Sequence, residues 1–416
     1  MPRRSVVVRI AQVVSLVLVT VLFVVLILAA FYNDGKPLTT LVPGGPSAQD
    51  IQNLIIPVFA VAGVVFVLVM GAVLFISWKF GERAGDDPEE FPEQIHGRTT
   101  LEIGWTILPA LILAGVAVAT VVTILQLEKR DDDAIKVQAI GNQWWWEFKY
   151  DINGDGNYDG PEDIHTATEL VIPTDREIAV TTTSNDVIHS FWIPGLNGKK
   201  DAVPGLFSPL KLEASDEGIY RGQCTEFCGL SHANMRMLVR SVSPDTYDEW
   251  VENQLKPAAD PSDELATEGQ AVWKSFCAQC HVINGVNGPD DETPQAPPPL
   301  VSGVAPNLTH LMTRGTFAGS IFNLYGDVDS TYRTDGENDT PLGFEPTDVA
   351  AAGDPGDALT GGTVDVENVN RVTLEKWLRN APEMKPMYAQ GGRGMPNLEL
   401  SEKQIDQLVA YLMTLN

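Results

Sequence analysis

The sequence predicts a multidomain membrane protein in three unlike parts: transmembrane helices, then an all-β sandwich, then an all-α domain. Three observations predict it. Before residue 130 the chain carries three long apolar runs. Between residues 134 and 242, short runs of strand character are separated by Pro, Gly, Asn and Asp. From residue 264 the apolar residues recur at helical spacing. The expected boundaries are 1–32 for a signal anchor or signal peptide, 50–130 for a transmembrane hairpin and 131–252 for the β domain. A linker over 253–263 and a helical domain over 264–416 complete the chain.

The apolar runs are Ile10–Phe31, Leu54–Trp78 and Trp105–Leu127. Each is long enough to cross a hydrocarbon core of roughly 30 Å at about 1.5 Å per residue. Arg3, Arg4 and Arg9 precede the first run and place its start in the cytoplasm. Three crossings then put everything after Leu127 on the periplasmic side of a bacterial cell membrane, in a multi-pass protein. Cleavage of the first run after Ala29-Ala30 would leave that location unchanged.

Ala134–Tyr150 reads as a strand, with Trp144, Trp146, Phe148 and Tyr150 on a buried face and Glu147 and Lys149 on a wet one. Strand-like runs follow at Glu169–Ile172, Glu177–Thr183, Val187–Ile193, Leu210–Glu213 and Met235–Val242, which suggests a small antiparallel sandwich or barrel. Leu255–Asp263, with Pro257 and Pro261, reads as a stiff linker. Helices are expected at Ala266–Cys280, Leu374–Asn380 and Ser401–Leu415, the last opening on a capping box of Ser401 and Gln404. Between the first two, residues 325–367 are rich in Gly, Asp, Pro and Thr and read as an insertion.

Charge is unevenly placed. The chain has 28 Lys and Arg against 55 Asp and Glu, yet up to Arg130 the two kinds nearly balance, nine against ten. The acidic excess therefore lies on the C-terminal two-thirds. Such a surface excludes nucleic acid as a partner and attracts basic proteins or cations.

All four cysteines fall in two short motifs, leaving none for a disulfide. The first, Cys224-Thr-Glu226-Phe-Cys228-Gly-Leu-Ser-His232-Ala-Asn-Met235, offers two thiolates, an imidazole and a thioether, and His189 upstream offers a second imidazole. Soft and borderline donors of this kind hold copper, whereas structural zinc takes four ligands and has no use for a thioether. The second motif, Cys277-Ala-Gln-Cys280-His281, is the attachment signature of c-type haem. A thioredoxin-like pair would need a βαβ pattern, and none surrounds it. The sixth iron ligand is sought among His310, Met312, Met384, Met387 and Met395.

The first motif resembles the dinuclear CuA site of cytochrome c oxidase subunit II. The likeness extends to Gly141-Asn-Gln-Trp144-Trp-Trp146, His189-Ser-Phe-Trp192-Ile-Pro194, Lys200-Asp201-Ala-Val-Pro204-Gly205 and, in the third run, Leu101-Glu102-Ile-Gly-Trp105. It implies a cupredoxin-like domain with Cys224 and Cys228 as bridging thiolates, His189 and His232 each on one copper, and Met235 and the Glu226 carbonyl as weak ligands. It further implies magnesium on the Glu226 carboxylate with Asp201 behind it, Glu102 at a proton-uptake channel, and Trp144 as a surface aromatic through which electrons arrive, with Trp145 its rival. The second motif is similar to class I cytochrome c, whose axial methionine precedes the last helix in a Met-Pro pair. Met395-Pro396 fits that place, with Met387 the runner-up.

Together the two resemblances imply a caa3-type subunit II with a fused cytochrome c domain. Electrons would pass from haem c through CuA to oxidase subunit I, where oxygen is reduced to water and protons are translocated. Partners would be subunit I, the other oxidase subunits and an upstream cytochrome or quinol–cytochrome c reductase. Two alternatives are a subunit feeding a nitric oxide reductase and a membrane protein that handles copper or senses redox state. One motif stands apart: Asp151, Asn153, Asp155, Asn157, Asp159 and Glu162 fit the ligand spacing of a calcium loop, against the plainer reading of a polar hairpin turn.

Overall fold

The structure is a computed structural model. It describes residues 11, 14–15, 17–25, 38–80, 96–160, 162–288, 305–326, 353–388 and 392–416. They divide into two units, one drawn from 1–34 and 49–129, the other from 35–48 and 130–416.

In the first unit, α1 (Pro46–Lys79) and α2 (Thr99–Glu128) contain the second and third apolar runs and are long and apolar enough to cross a membrane. Their large side chains are exposed on every side, Leu68, Leu108 and Leu113 among them. A helix apolar all round needs lipid or neighbouring helices about it. Of the first run, residues 11, 14–15 and 17–25 are helical and the rest lies outside the described residues.

The second unit begins with the β domain. Its strands are β1 (Ile135–Asn142), β2 (Trp145–Asp151), β3 (Ile164–Ala167), β4 (Glu169–Pro173), β5 (Ile178–Ser184), β6 (His189–Phe191), β7 (Lys200–Ala202), β8 (Ser208–Leu212), β9 (Gly218–Gln223) and β10 (Arg236–Val242). One sheet has the order β3-β2-β1-β5-β8, another β4-β10-β9, and β6 pairs with β7. Trp146, Phe148, Tyr150, Phe191, Leu170 and Val239 fill the core, as the alternation around Trp146 requires. Three expectations are corrected. Ala134–Tyr150 is two antiparallel strands that turn back at Asn142–Trp145, with Gly141 opposite Trp146. The sandwich is mixed, since β1 runs parallel to β5 and β4 parallel to β10. The strand expected over Val187–Ile193 shrinks to β6, because Asp186 and Ser184 draw the chain just before it into a turn.

The C-terminal region follows α3 (Pro244–Gln254). Its helices are α4 (Glu264–Phe276), α5 (Arg371–Met384) and α6 (Glu402–Leu412), with a short ribbon, Thr316–Phe317 against Phe322–Asn323. Helix α4 stops before the second cysteine motif instead of running to Cys280, and Cys277 sits at its C-cap. Helix α5 is longer than expected and kinks at Asn380, two residues before Pro382, whose ring and missing N–H disturb the turn before it. The capping box of Ser401 and Gln404 forms as read. Helices α4 and α6 cross at Gly269, where a Cβ would stand 1.9 Å from the Gln407 carbonyl oxygen. That glycine lets Trp273, Leu408 and Tyr411 close one core. Of the insertion at 325–367, a single 3-10 turn at Gly356–Thr360 is formed in the described part, and residues 327–352 lie outside it.

Candidate metal centre and the segment that covers it

The first cysteine motif, Cys224–Met235, is the connection of the β9–β10 hairpin, whose last pair is Gln223 opposite Arg236. Two strand-like bonds hold its first residues: Cys224 N–H donates to Met235 O (2.9 Å) and Thr225 N–H to Ser190 O (3.0 Å). The second of these ties the loop to β6, one residue from His189.

The donors converge. Cys224 and Cys228 Sγ stand 3.8 Å apart, His189 Nδ1 lies 3.9 Å from Cys224 Sγ, and His232 Nδ1 lies 3.5 Å from Cys228 Sγ. Met235 Sδ is 3.7 Å from Cys228 Sγ, and the Glu226 carbonyl 3.3 Å from Cys224 Sγ. Cys224, Cys228, Met235 and His189 are all buried. Contact with Cys228, helped by His189, pulls the Cys224 thiol well below its usual range, while contact with Cys224 pushes Cys228 up. Such a pair holds one proton between two sulfurs and is ready to surrender it to a soft cation. The donor set therefore fits a dinuclear copper centre of the CuA kind.

Two neighbours shape the site. Gly141 on β1 admits the His189 ring, since a Cβ there would lie 2.5 Å from Cδ2. Asp186 accepts from His189 Nε2 at 2.8 Å and also from the N–H groups of Gln143 and Val187. Burial works against charge on His189, but Asp186 and Cys224 outweigh it, so its pKa is raised. The Asp186 bond occupies Nε2 and leaves Nδ1 to face the sulfur, the usual division of labour for a ligating imidazole.

Trp144 is not a surface residue. Its side chain is 2 % exposed, and its indole N–H donates to the Cys228 carbonyl at 3.1 Å. The covering comes from the chain's own C-terminal region. Tyr388 lies 6.0 Å from the Trp144 ring, and Lys385 Nζ donates to Trp144 O (2.6 Å) and Ala318 O (2.8 Å). Ser231, beside His232, donates its hydroxyl proton to the Pro386 carbonyl, and Arg393 lies 3.6 Å from Asp186. Burial pushes the Lys385 ammonium down to about 7. Trp145, the rival aromatic, is buried as well.

At the second motif, Cys277 is buried and Cys280 exposed. His281 Nδ1 lies 2.8 Å from the Pro306 carbonyl, which leaves Nε2 for a metal. Arg314 is buried with its Nε unpartnered among the described residues, and burial pushes its guanidinium down to about 10. A buried cation of this kind needs an anion, and the haem group carries two carboxylates. Donors and charge both fit a covalent haem. Among the candidate sixth ligands, His310 has both ring nitrogens engaged, by Asn416 O and Lys256 O, and Met312 is fully buried in the helical core. Met387 packs on the β-domain core, whereas Met384 and Met395 pack on the helical one.

The remaining predicted residues are more loosely placed. Glu226 and Asp201 are exposed, with Asp201 accepting from Ser190 Oγ at 2.8 Å, and Glu102 stands in the first turn of α2. Asp151 ends β2, and Asn153, Asp155, Asn157, Asp159 and Glu162 follow it in the β2–β3 connection. Asp186, Ser231, Lys385, Tyr388 and Arg393 were not singled out from the sequence. An aspartate in a turn or a lysine before a proline carries no signal until the fold brings it to a partner.

Residues 135–242 match the family described as cytochrome c oxidase subunit II, periplasmic domain, and residues 38–122 match its transmembrane domain. A cytochrome c oxidase subunit 2 from Alkalihalophilus pseudofirmus is 30 % identical over 386 residues, covering 91 % of this chain and 91 % of that protein. One from Bacillus sp. strain PS3 is 30 % identical over 399 residues, covering 92 % of each. The Arabidopsis thaliana protein of the same name is 33 % identical over 230 residues, covering 51 % of this chain and 87 % of that one. The two bacterial relatives thus run on through the C-terminal region.

Proposed function

We propose, since this chain belongs to the cytochrome c oxidase subunit II family, that it feeds electrons to a haem–copper oxidase from a donor of its own, a haem c held by its C-terminal extension. The chain is a membrane-anchored, copper-binding oxidase subunit, and oxygen reduction belongs to a partner chain. In this reading Cys224, Cys228, His189, His232, Met235 and the Glu226 carbonyl hold the copper pair. Cys277, Cys280, His281 and Met395 hold the haem. A copper pair held by these residues would supply one-electron transfer with little rearrangement, which suits transfer and not bond chemistry.

The observation that carries the reading is the contact between the two halves of the second unit. The segment from Lys385 to Tyr388, between α5 and α6, lies on Trp144 and on the copper-ligand loop through Ser231. Trp144 bonds in turn to the Cys228 carbonyl. Chain bonds, one tilted ring pair and the Lys385–Trp144 and Trp144–Cys228 hydrogen bonds therefore link the segment that follows α5 to a thiolate ligand. Asp186 keeps its imidazole in one tautomer, and Lys385 keeps water and outside proteins away from Trp144. Met395 is preferred to Met387 because it packs on the helical core that includes Cys277, whereas Met387 packs on the β-domain core.

The same reading assigns magnesium to Glu226 and Asp201 at the face toward subunit I, proton uptake to Glu102, and an outward location to both soluble domains of a multi-pass protein. The domain limits proposed are those at 131–252 and 264–416. Upstream, a cytochrome or a quinol–cytochrome c reductase would reduce the haem.

Metal counting with absorption spectroscopy on the purified full-length chain tests this. The expected result is copper and iron in a two-to-one ratio, a near-infrared band of mixed-valence copper and the visible bands of covalent haem. Zinc in place of copper, or haem that organic extraction removes, would contradict it.

A further inference from the structure

We propose that the β2–β3 connection is a calcium site, with oxygens from Asp151, Asn153, Asp155, Asp159 and Glu162 and the main-chain carbonyl of Asn157. Electron transfer makes no use of these residues. β2 and β3 form a simple antiparallel pair with Tyr150 opposite Ile164, which a turn of about two to five residues would close. The chain instead spends Asp151 to Asp163 on a loop with five carboxylates.

Asp151 supplies the observation that points to a ligand. Its side chain is wholly buried at the end of β2. Oδ2 accepts the Gly156 N–H at 2.9 Å, so the carboxylate faces into the loop, but Oδ1 has no hydrogen-bond partner. The Lys136 ammonium pairs with Oδ2 of this carboxylate, but a buried Oδ1 left without a donor is costly, and acid after acid around it makes a further cation the natural partner. Successive Asx turns carry the loop: Asn153 Oδ1 accepts from Asp155 N–H (2.9 Å), and Asp155 Oδ1 from Asn157 N–H (2.7 Å). Gly156 has φ of 84°, the left-handed turn that a calcium loop reserves for glycine at this position.

The acids stand apart as like charges do, no three of them bringing oxygens within 4.8 Å of one another. Weaker partners fill in. The Asn153 amide donates to Asp155 Oδ2 (3.1 Å) and Glu162 Oε1 (2.7 Å), between two carboxylates that a dication would bridge. Lys149 holds Asp159 at 2.5 Å. Lys136 lies 3.6 Å from Asp151 Oδ2 and donates to Gly154 O at 2.7 Å, which makes it an internal competitor for the site. An all-oxygen set on a pliant loop suits calcium. Magnesium demands a tight octahedron, and zinc prefers nitrogen and sulfur.

Calorimetric titration of the detergent-purified full-length chain with calcium chloride, and separately with magnesium chloride, tests the proposal. The expected result is one saturable calcium site with a dissociation constant on the order of 10⁻⁴ M, as in extracellular modules, and no comparable magnesium heat. Asp155→Ala should weaken binding at least about tenfold by removing a carboxylate ligand, while Lys136→Gln should tighten it. Asp155 is exposed and bonds only within the loop, so its variant should melt like the parent in chelator. Absence of calcium heat in both the parent and Lys136→Gln would overturn the proposal. So would a heat that Asp155→Ala leaves unchanged or that magnesium reproduces, since that is adsorption to an acidic surface.

Discussion

Cys224→Ser is expected to abolish the near-infrared copper band, to lower copper below two per chain and to cut oxidase turnover by at least about a hundredfold. Cys224 is the thiol already drawn toward the thiolate form, 3.8 Å from Cys228 and within reach of His189. A serine hydroxyl is a hard donor that stays protonated at neutral pH, so it cannot bridge two soft metals. The change also puts a hydroxyl where a fully buried sulfur packed, at a stability cost of about 1–3 kcal/mol. Copper-free parent protein is therefore the proper control. If the variant keeps its band, the bridging sulfurs lie elsewhere and the ligand set is wrong.

Replacing both Cys277 and Cys280 by serine should give the second large effect. Iron should leave the purified chain on denaturation, and turnover driven by haem reduction should fall to the level of the haem-free protein. The copper band should persist, because the proposed copper donors lie on β6 and the β9–β10 connection, and Cys224, Cys228 and Met235 do not share a core with Cys277. The C-terminal region should also melt earlier, since Cys277 caps α4 through its N–H on the Trp273 carbonyl and lies in one core with Leu408, and a covalent group there ties the ends of that core together. Loss of copper together with iron would mean that the two halves fold as one and that the motifs are not separable.

The legible parts were those written in contiguous residues. Both cysteine motifs name their chemistry by spacing alone, and the alternation of Trp144, Trp146, Phe148 and Tyr150 names the buried face of one strand. The same alternation hid the turn at Asn142–Trp145, because an antiparallel hairpin can continue the pattern through its own reversal. Strand β3, with a histidine and two small residues, and β9, with two glycines and an arginine, carry no period and went unseen. The parallel pairing of β1 with β5 and of β4 with β10 joins segments distant in sequence, where local pattern has no reach. Asp186 and Lys385 belong to the same class. Each gains its role only from a partner elsewhere in the chain, His189 in one case and the Trp144 carbonyl in the other. The resemblance implied a surface for Trp144, and the chain's own segment from Lys385 to Tyr388 covers it.

That covering yields the most direct measurement. Rapid photoreduction of the haem in the purified full-length chain, followed by the appearance of reduced copper, gives the rate of transfer between the two centres. With the segment from Lys385 to Tyr388 resting on Trp144, a built-in donor predicts a rate that is first order and unchanged on dilution. Lys385→Met, which frees the carbonyls of Trp144 and Ala318, should slow it without changing either spectrum. A rate that rises in proportion to protein concentration would mean that the electron passes between molecules, and the built-in donor would be contradicted.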